Sequence, residues 1–150
     1  MTDIQCILDP DRFLHFGVIV RDIEQQMKQL SALWGIGQWS VIEYGAEGQQ
    51  VLKGSPFNLK VALNRAGPVT VELLQPLNSP GSIWQQFLDE QGEGMHHLAY
   101  RVDDLMQSIT SIEGAGGELL WHISIGPEMN YCYARVPAGI IVELVDFDFD

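Results

Sequence analysis

The fold is decided by residues 94–105, which read GMHHLAYRVDDL. Apolar and polar residues alternate over most of this stretch, as in a half-buried β-strand, and an aspartate then stands where a helix would begin. A weaker copy, HFGVIVRDI, occupies residues 15–23. With His15 placed on His97, three further positions match at the same spacing: Val20 with Val102, Asp22 with Asp104, and Ile23 with Leu105. A match at one fixed spacing indicates an internal repeat.

Each copy opens one half of the chain, and both halves have the same predicted order of elements, strand–helix–strand–strand–strand. The first half has strand patterns at residues 14–20, 39–44, 59–64 and 69–75. Its helix is capped by Asp22 and ended by Gly35. The second half has strand patterns at residues 96–102, 118–123, 131–136 and 140–147, and its helix is capped by Asp104.

The domain organisation follows from this repeat. We predict a single domain over residues 1–150, with module 1 at about 13–76 and module 2 at about 94–147. A linker with a short helix occupies residues 77–93. Residues 45–56 and 126–130 are predicted as loops, and we expect them to determine which substrate binds.

Composition and charge exclude several classes of function. The chain is 46% hydrophobic and 19% charged, as in an ordinary globular protein. Its net charge of −12 argues against nucleic acid and anionic membranes, whose phosphates need clustered lysine and arginine. No apolar run approaches the roughly 20 residues that span a bilayer, and the N-terminus lacks a signal-peptide pattern. Cys6 and Cys132 lie outside any CxxC spacing, so we expect two reduced thiols in a cytoplasmic protein.

The last strand of each half carries one glutamate in an otherwise apolar run. Residues 69–74 read VTVELL and residues 140–145 read IIVELV, which places Glu72 and Glu143 at matching positions. An unpartnered carboxylate in a buried strand would be costly, so each glutamate is expected to have a partner. The repeat therefore supplies one histidine and one glutamate from each half.

If the halves pack around a pseudo-two-fold axis, His15, Glu72, His97 and Glu143 converge on one point. Two imidazoles and two carboxylates suit one divalent ion, such as Co, Ni, Zn, Mn or Fe. Neighbouring strand residues face opposite ways, and the repeat selects His97 rather than His96. His122 has no equivalent in the first half and is interpreted as a non-ligand.

At these residues the chain resembles the vicinal oxygen chelate superfamily, which contains glyoxalases, bleomycin-resistance proteins and dioxygenases. Within it, the chain is most similar to the methylmalonyl-CoA epimerase family, above all over residues 92–104, GEGMHHLAYRVDD. The resemblance implies an α+β fold, in which two pseudo-symmetric βαβββ modules form an open curved mixed sheet around a metal site. By position, it implies that His15, Glu72, His97 and Glu143 are the ligands.

The resemblance also implies a reaction through a metal-chelated enolate, with Glu72 and Glu143 as catalytic proton carriers. The first expectation is an epimerase or isomerase of methylmalonyl-CoA or a related acyl thioester, acting as a homodimer on this small molecule. A glyoxalase-I-like lyase has a similar ligand set and stays open. A non-enzymatic ligand-binding or resistance member is the third reading, although such members generally lack the ligands. An extradiol dioxygenase is a further alternative, but it would use only two histidines and one carboxylate, which would leave Glu72 as an additional fourth ligand.

Overall fold

The structure, a computed structural model, describes residues 6–45, 50–124 and 129–148. Thirteen elements follow one another: a 3-10 turn at Pro10–Arg12, β1 (Phe13–Ile19), α1 (Ile23–Trp34), β2 (Ser40–Tyr44), β3 (Gln50–Lys53), β4 (Leu59–Ala66), β5 (Val69–Pro76), α2 (Ile83–Gln91), β6 (Gly94–Arg101), α3 (Leu105–Gly114), β7 (Glu118–Ser124), β8 (Asn130–Arg135) and β9 (Ile141–Val145). Among the described residues, none of the helices is both long enough and apolar enough to cross a membrane.

Residue contacts divide the chain into two compact units. The His15 unit contains the described residues of 15–49 and 55–96, and the His97 unit contains those of 1–14, 50–54 and 97–150. The division falls inside β1, before His15, and inside β6, before His97. Each unit has its own strands and its own helix-covered core.

In the His15 unit the strands have the order β2-β4-β5-β1. The β5–β1 pair is parallel, whereas β2–β4 and β4–β5 are antiparallel. Helix α1 begins where the Asp22 side chain accepts a hydrogen bond from the backbone N–H of Gln25, at 3.1 Å. It ends at Gly35, whose φ of 65° is the left-handed conformation that glycine adopts without strain. Both boundaries confirm the predicted helix.

The core of the His15 unit lies between α1 and the sheet. Its buried members are apolar and come from the segment before α1, the start of α1, and the adjacent strands β4 and β5: Val20, Ile23, Ala62, Val71 and Leu73. Met27 and Leu30 lie one and two turns farther along α1 and pack against this cluster. The helical spacing of apolar residues in the sequence therefore marks the face of α1 that is buried.

In the His97 unit the strands have the order β6-β9-β8-β7-β3. The β6–β9 pair is parallel, and the remaining pairs are antiparallel. Asp104 caps α3 by accepting a hydrogen bond from the backbone N–H of Gln107, at 3.0 Å. The core between α3 and the sheet is formed by Val102, Leu105, Ile109, Ile112, Cys132, Ala134, Val142 and Leu144.

The two units therefore repeat one topology. Strands β1, β2, β4 and β5 correspond to β6, β7, β8 and β9, and each set has one parallel pair, two antiparallel pairs and one helix on one face. These are the two βαβββ modules expected from the sequence. The predicted α+β class with mixed sheets is confirmed.

One prediction was wrong in part, because residues 45–56 are not a continuous loop. Gln50–Lys53 forms β3, which pairs antiparallel with β7, with Val51 opposite Ile123. Four residues are too few for a clear alternation, and the partner strand belongs to the other half of the sequence, so local pattern could not reveal the pairing. Of the two predicted substrate loops, residues 46–49 and 126–128 lie outside the described residues.

Candidate metal centre

In the His15 unit, parallel pairing of β1 with β5 brings a histidine to a glutamate. Gly17 lies opposite Glu72 in the register, and His15 precedes Gly17 by two residues, so both side chains project from the same face. His15 Nε2 and Glu72 Oε1 are 3.4 Å apart. Both side chains are buried, with 3% and 8% of their surface exposed.

The His97 unit repeats this arrangement with the same register. Ala99 lies opposite Glu143 in the parallel β6–β9 pair, and His97 precedes Ala99 by two residues. His97 Nε2 and Glu143 Oε2 are 3.6 Å apart, and both side chains are buried. The histidine and glutamate predicted for each half are therefore brought together within each unit.

Both glutamates project from the sheet face opposite the covering helix. Val71 and Leu73, which flank Glu72, belong to the core under α1. Val142 and Leu144, which flank Glu143, belong to the core under α3. Because side chains alternate between the two faces of a strand, the apolar residues hold the helix while the carboxylates point the other way.

These donors fit a metal ion by chemistry and by separation. Each unit supplies one buried histidine and one buried glutamate, and these are donors that could hold such an ion. Two ligand atoms bound at about 2.1 Å to one ion stand roughly 3.0–3.4 Å apart at octahedral or tetrahedral angles. The 3.4 and 3.6 Å separations lie close to that range and beyond the usual length of an N–H···O hydrogen bond. Imidazole and carboxylate donors without a thiolate favour Co, Ni, Zn, Mn or Fe.

His96 and His97 point to opposite faces, as the alternation of a strand requires. The His96 ring meets the Phe87 ring of α2 edge-on, with centroids 5.1 Å apart. The His97 ring instead meets Tyr133 edge-on, with centroids 4.9 Å apart, and approaches Glu143. In the described residues His97 is the member of the doublet that lies beside a carboxylate.

His122 lies on the opposite face of the sheet from Glu143. It stands opposite Cys132 in the β7–β8 register, whereas Trp121 stands opposite Tyr133 and Tyr133 opposite Glu143. His122 is buried, and this burial lowers its pKa from the ordinary histidine value, although nearby Asp146 acts to raise it. The structure places His122 away from the His97–Glu143 pair.

The two cysteines are free thiols in different surroundings. Cys6 is exposed and Cys132 is buried under α3. Burial raises the pKa of the Cys132 thiol to about 12, and the Glu143 carboxylate acts in the same direction. A thiol held protonated in this way is a poor metal ligand, because the thiolate is the binding form.

Sequence reasoning missed two aromatic residues beside the His97–Glu143 pair. Tyr133 lies opposite Glu143 on β8, and Trp121 lies opposite Tyr133 on β7. The alternation of β8 puts Tyr131 and Tyr133 on one face, but the identity of that face follows only from the pairing with β9. The sequence signal that could have pointed to these residues was the aromatic content of strands β7 and β8.

Comparison with known proteins extends the description. The sequence model of the Glyoxalase/Bleomycin resistance protein/Dioxygenase superfamily matches residues 14–133. The chain is also 26% identical to the Bacillus subtilis protein YqjC over 92 residues, which are 59% of this chain and 65% of that relative. The match therefore spans less than two thirds of the relative's length.

Solved structures with the same fold include epimerases. The methylmalonyl-CoA epimerase of Mycobacterium tuberculosis aligns with a TM-score of 0.64 at 20% identity, covering 91% of this chain and 88% of that one. A Bacillus halodurans protein, BH1468, gives a TM-score of 0.66 at 19% identity, covering 93% and 96%. A variant of Streptomyces coelicolor methylmalonyl-CoA epimerase, in complex with 2-nitronate-propionyl-CoA, gives 0.62 at 22%, covering 90% and 96%. At these identities the likeness shows the fold.

The family match covers most of the chain, including β1, both module helices and most strands of both modules. The repeated strand–helix–strand–strand–strand topology agrees with it, and so do the solved structures. The chain belongs to the Glyoxalase/Bleomycin resistance protein/Dioxygenase superfamily.

Proposed function

We propose that His15, Glu72, His97 and Glu143 together hold one divalent metal ion, and that the protein is an epimerase or isomerase of an acyl thioester. The observation that carries the proposal is the repeated buried pair. Each unit supplies one histidine and one glutamate from parallel strands in the same register, at 3.4 and 3.6 Å.

The burial of both carboxylates supports the proposal that a metal ion binds between them and the histidines. The side chains of Glu72 and Glu143 are 8% and 4% exposed, and each lies in a strand whose neighbouring residues are apolar. Taking a carboxylate out of water costs several kcal/mol unless a positive charge compensates for it (order of magnitude about 5). A divalent ion offsets two such carboxylates, and neutral imidazoles complete the donor set.

The chemistry assigned to the chain's own residues is proton transfer. A bound divalent ion supplies Lewis-acid stabilisation of the negative charge that develops on a carbonyl oxygen. The carboxylates of Glu72 and Glu143 are the proposed proton carriers, each a ligand that would loosen to serve as a base. One ionised carboxylate removes the proton from the carbon beside the carbonyl. The other, which takes up a proton from solvent before the substrate binds, gives that proton to the opposite face, so one carboxyl group is protonated and one is ionised both before and after the step. The apolar strands around them keep water away from this step.

The proposed substrate is methylmalonyl-CoA or a related acyl-CoA thioester. Support comes from the fold neighbours, several of which are methylmalonyl-CoA epimerases in complex with methylmalonyl-CoA or 2-nitronate-propionyl-CoA. Such a substrate carries an acidic C–H beside the thioester carbonyl, which is the bond that a pair of carboxylates would act on. The homodimer implied by the family resemblance and the cytoplasmic location inferred from the cysteines stay predictions.

The deciding experiment combines metal analysis with isotope exchange. Purified protein, reconstituted in turn with Co, Ni, Zn, Mn and Fe, is incubated in deuterium oxide with methylmalonyl-CoA and a panel of acyl-CoA thioesters. We expect metal-dependent deuterium incorporation beside the thioester carbonyl. Absence of bound metal under every condition would remove the whole site assignment. Bound metal without exchange, together with turnover of the glutathione–methylglyoxal adduct, would replace the epimerase with the lyase.

A further inference from the structure

We propose that the ring of Tyr133 is a positioning residue that fixes the imidazole of His97, and that strand β3 seats this ring through Trp121. The inference rests on the proposed function, in which His97 binds the metal. It concerns four residues of the His97 unit, called here the aromatic row: Gly54, Trp121, Tyr133 and His97.

The contact that defines the row is between Tyr133 and His97. Their ring centroids are 4.9 Å apart and their planes are inclined by 82°, an edge-to-face arrangement. Tyr133 is 2% exposed and His97 1% exposed, so both rings are shielded from solvent. Tyr133 also stands opposite Glu143 in the register, which places it beside both members of the pair. A packed aromatic edge restricts rotation of the imidazole about its side-chain bonds.

Trp121 holds Tyr133 from the other side. It lies opposite Tyr133 in the β7–β8 register, with ring centroids 5.9 Å apart, and it is fully buried. The backbone of Gly54, just after β3, lies against the Trp121 ring. A Cβ at Gly54 would be 2.3 Å from Cδ1 of Trp121, closer than any real Cβ contact. The Trp121 ring therefore leaves no room for a side chain at Gly54, the residue that directly follows β3.

The row has no counterpart in the His15 unit at the equivalent strand position. Opposite Glu72, the position that corresponds to Tyr133 is occupied by Leu63. Leucine has no ring edge and more side-chain freedom, so it restrains a neighbouring imidazole less. The strand position opposite the glutamate therefore carries a different type of side chain in the two units. The His97 side is fixed by packing before any metal arrives, which is what a preorganised ligand requires.

The test measures the histidine rings in metal-free protein. With isotope-labelled histidine, NMR relaxation of the ring carbons reports the mobility of each imidazole, and His15 serves as an internal reference. We expect Tyr133→Leu, which installs the residue type of the other module, to loosen the His97 ring while the His15 ring is unchanged. Tyr133→Phe keeps the ring and should leave His97 rigid.

Tyr131→Leu is the matched control. Tyr131 lies on the same face of the same strand and contacts Trp121 and Phe147, with ring centroids 5.3 and 6.1 Å away. Its loss should leave the His97 ring rigid. Equal loosening of His15 and His97 in Tyr133→Leu, or an unchanged His97, would overturn the proposal. So would loosening in Tyr133→Phe, because the ring rather than the hydroxyl is assigned the role.

A second readout is metal affinity, measured by titration with Co²⁺. We expect Tyr133→Leu to weaken binding about 10- to 100-fold, as for other groups that orient a metal ligand, and Tyr133→Phe and Tyr131→Leu to bind as the wild type does. If no variant binds metal but His97 loosens only in Tyr133→Leu, the proposed function fails and the positioning role stands. If every variant binds metal equally with a rigid His97, the positioning role fails alone. Trp121→Phe replaces Tyr133→Leu if that variant does not fold.

Discussion

Glu72 and Glu143 show how a single residue can report a partner that lies far away in the sequence. Each interrupts an apolar strand, and the free-energy cost of burying a carboxylate predicts that something compensates for it. The structure shows His15 beside the first and His97 beside the second. In both cases the strand pairing, rather than local sequence, sets the distance.

Replacement of either glutamate tests its proposed role in proton transfer. Glu72→Gln and Glu143→Gln keep the side-chain size but remove the base, so we expect turnover of the acyl thioester to fall by about 100-fold or more. The measurement is the rate of deuterium incorporation at saturating metal and substrate. Glu118→Gln is the matched control, since Glu118 is exposed and pairs with Arg135. Near-normal rates in both site variants would remove the glutamates from the mechanism.

The cysteines make a second prediction at this scale. Because Cys132 is buried with a pKa of about 12 and Cys6 is exposed, one thiol per native chain should react with a disulfide reagent at neutral pH. Unfolding in denaturant should expose the second. Cys6→Ser should abolish the native reaction, and a fast-reacting thiol remaining in that variant would contradict the burial of Cys132.

His122 predicts how stability depends on pH. Burial lowers the pKa of His122 in the folded protein below the value of about 6.5 that histidine has in an unfolded chain. At pH values between these two pKa values, the unfolded chain therefore binds more protons than the folded protein does. The free energy of unfolding should therefore fall as the pH is lowered through about 6.5, and the effect should be absent above it. His122→Gln should show a shallower fall in urea titrations of metal-free protein. An identical pH slope in the two proteins would show that His122 does not contribute.

At the level of elements, the helices were the most predictable part and β3 the least. The N-caps of α1 and α3 depend only on local sequence. In each, an aspartate side chain accepts a hydrogen bond from the backbone N–H three residues later. The hairpin of β4 and β5 is likewise marked by its own turn, with Gly67 in a left-handed conformation between Ala66 and Val69. Strand β3 has no such signal, because its only strong determinant is the edge of β7 that receives it.

Gly54 tests how firmly β3 is attached to its unit. Gly54→Ala should lower the free energy of unfolding by about 1–3 kcal/mol, because its methyl group would collide with the buried Trp121 and its φ of 96° disfavours a side chain. Gly116→Ala is the control: its φ is 94°, and a Cβ there has no neighbour within 4 Å. Urea unfolding should show the larger loss for Gly54→Ala. Equal losses would mean that backbone strain alone accounts for the effect.

For the whole molecule, the proposal is that the two units together bind one metal ion. The prediction is a stoichiometry of one divalent metal per chain, measured by elemental analysis after reconstitution and desalting. His15→Ala and His97→Ala, in different units, should each lower the affinity for that same ion, because each removes one of its four ligands. His96→Ala is the control, since His96 packs on Phe87. Two bound ions per wild-type chain would indicate separate sites. So would the loss of half of the bound metal, without a change in affinity for the remainder, in each single variant.

The sequence by itself determined the repeat, the order of elements in each module and the helix boundaries, and it predicted the four residues of the candidate centre. These follow from local rules, since side-chain periodicity and caps act over a few residues and a buried carboxylate demands a partner. Only the tertiary structure decided the register that sets His15 against Glu72 and His97 against Glu143, the attachment of β3 to β7, and the aromatic row beside His97. Strand pairing joins residues far apart in the chain, and a shift of one residue would turn each glutamate to the opposite face.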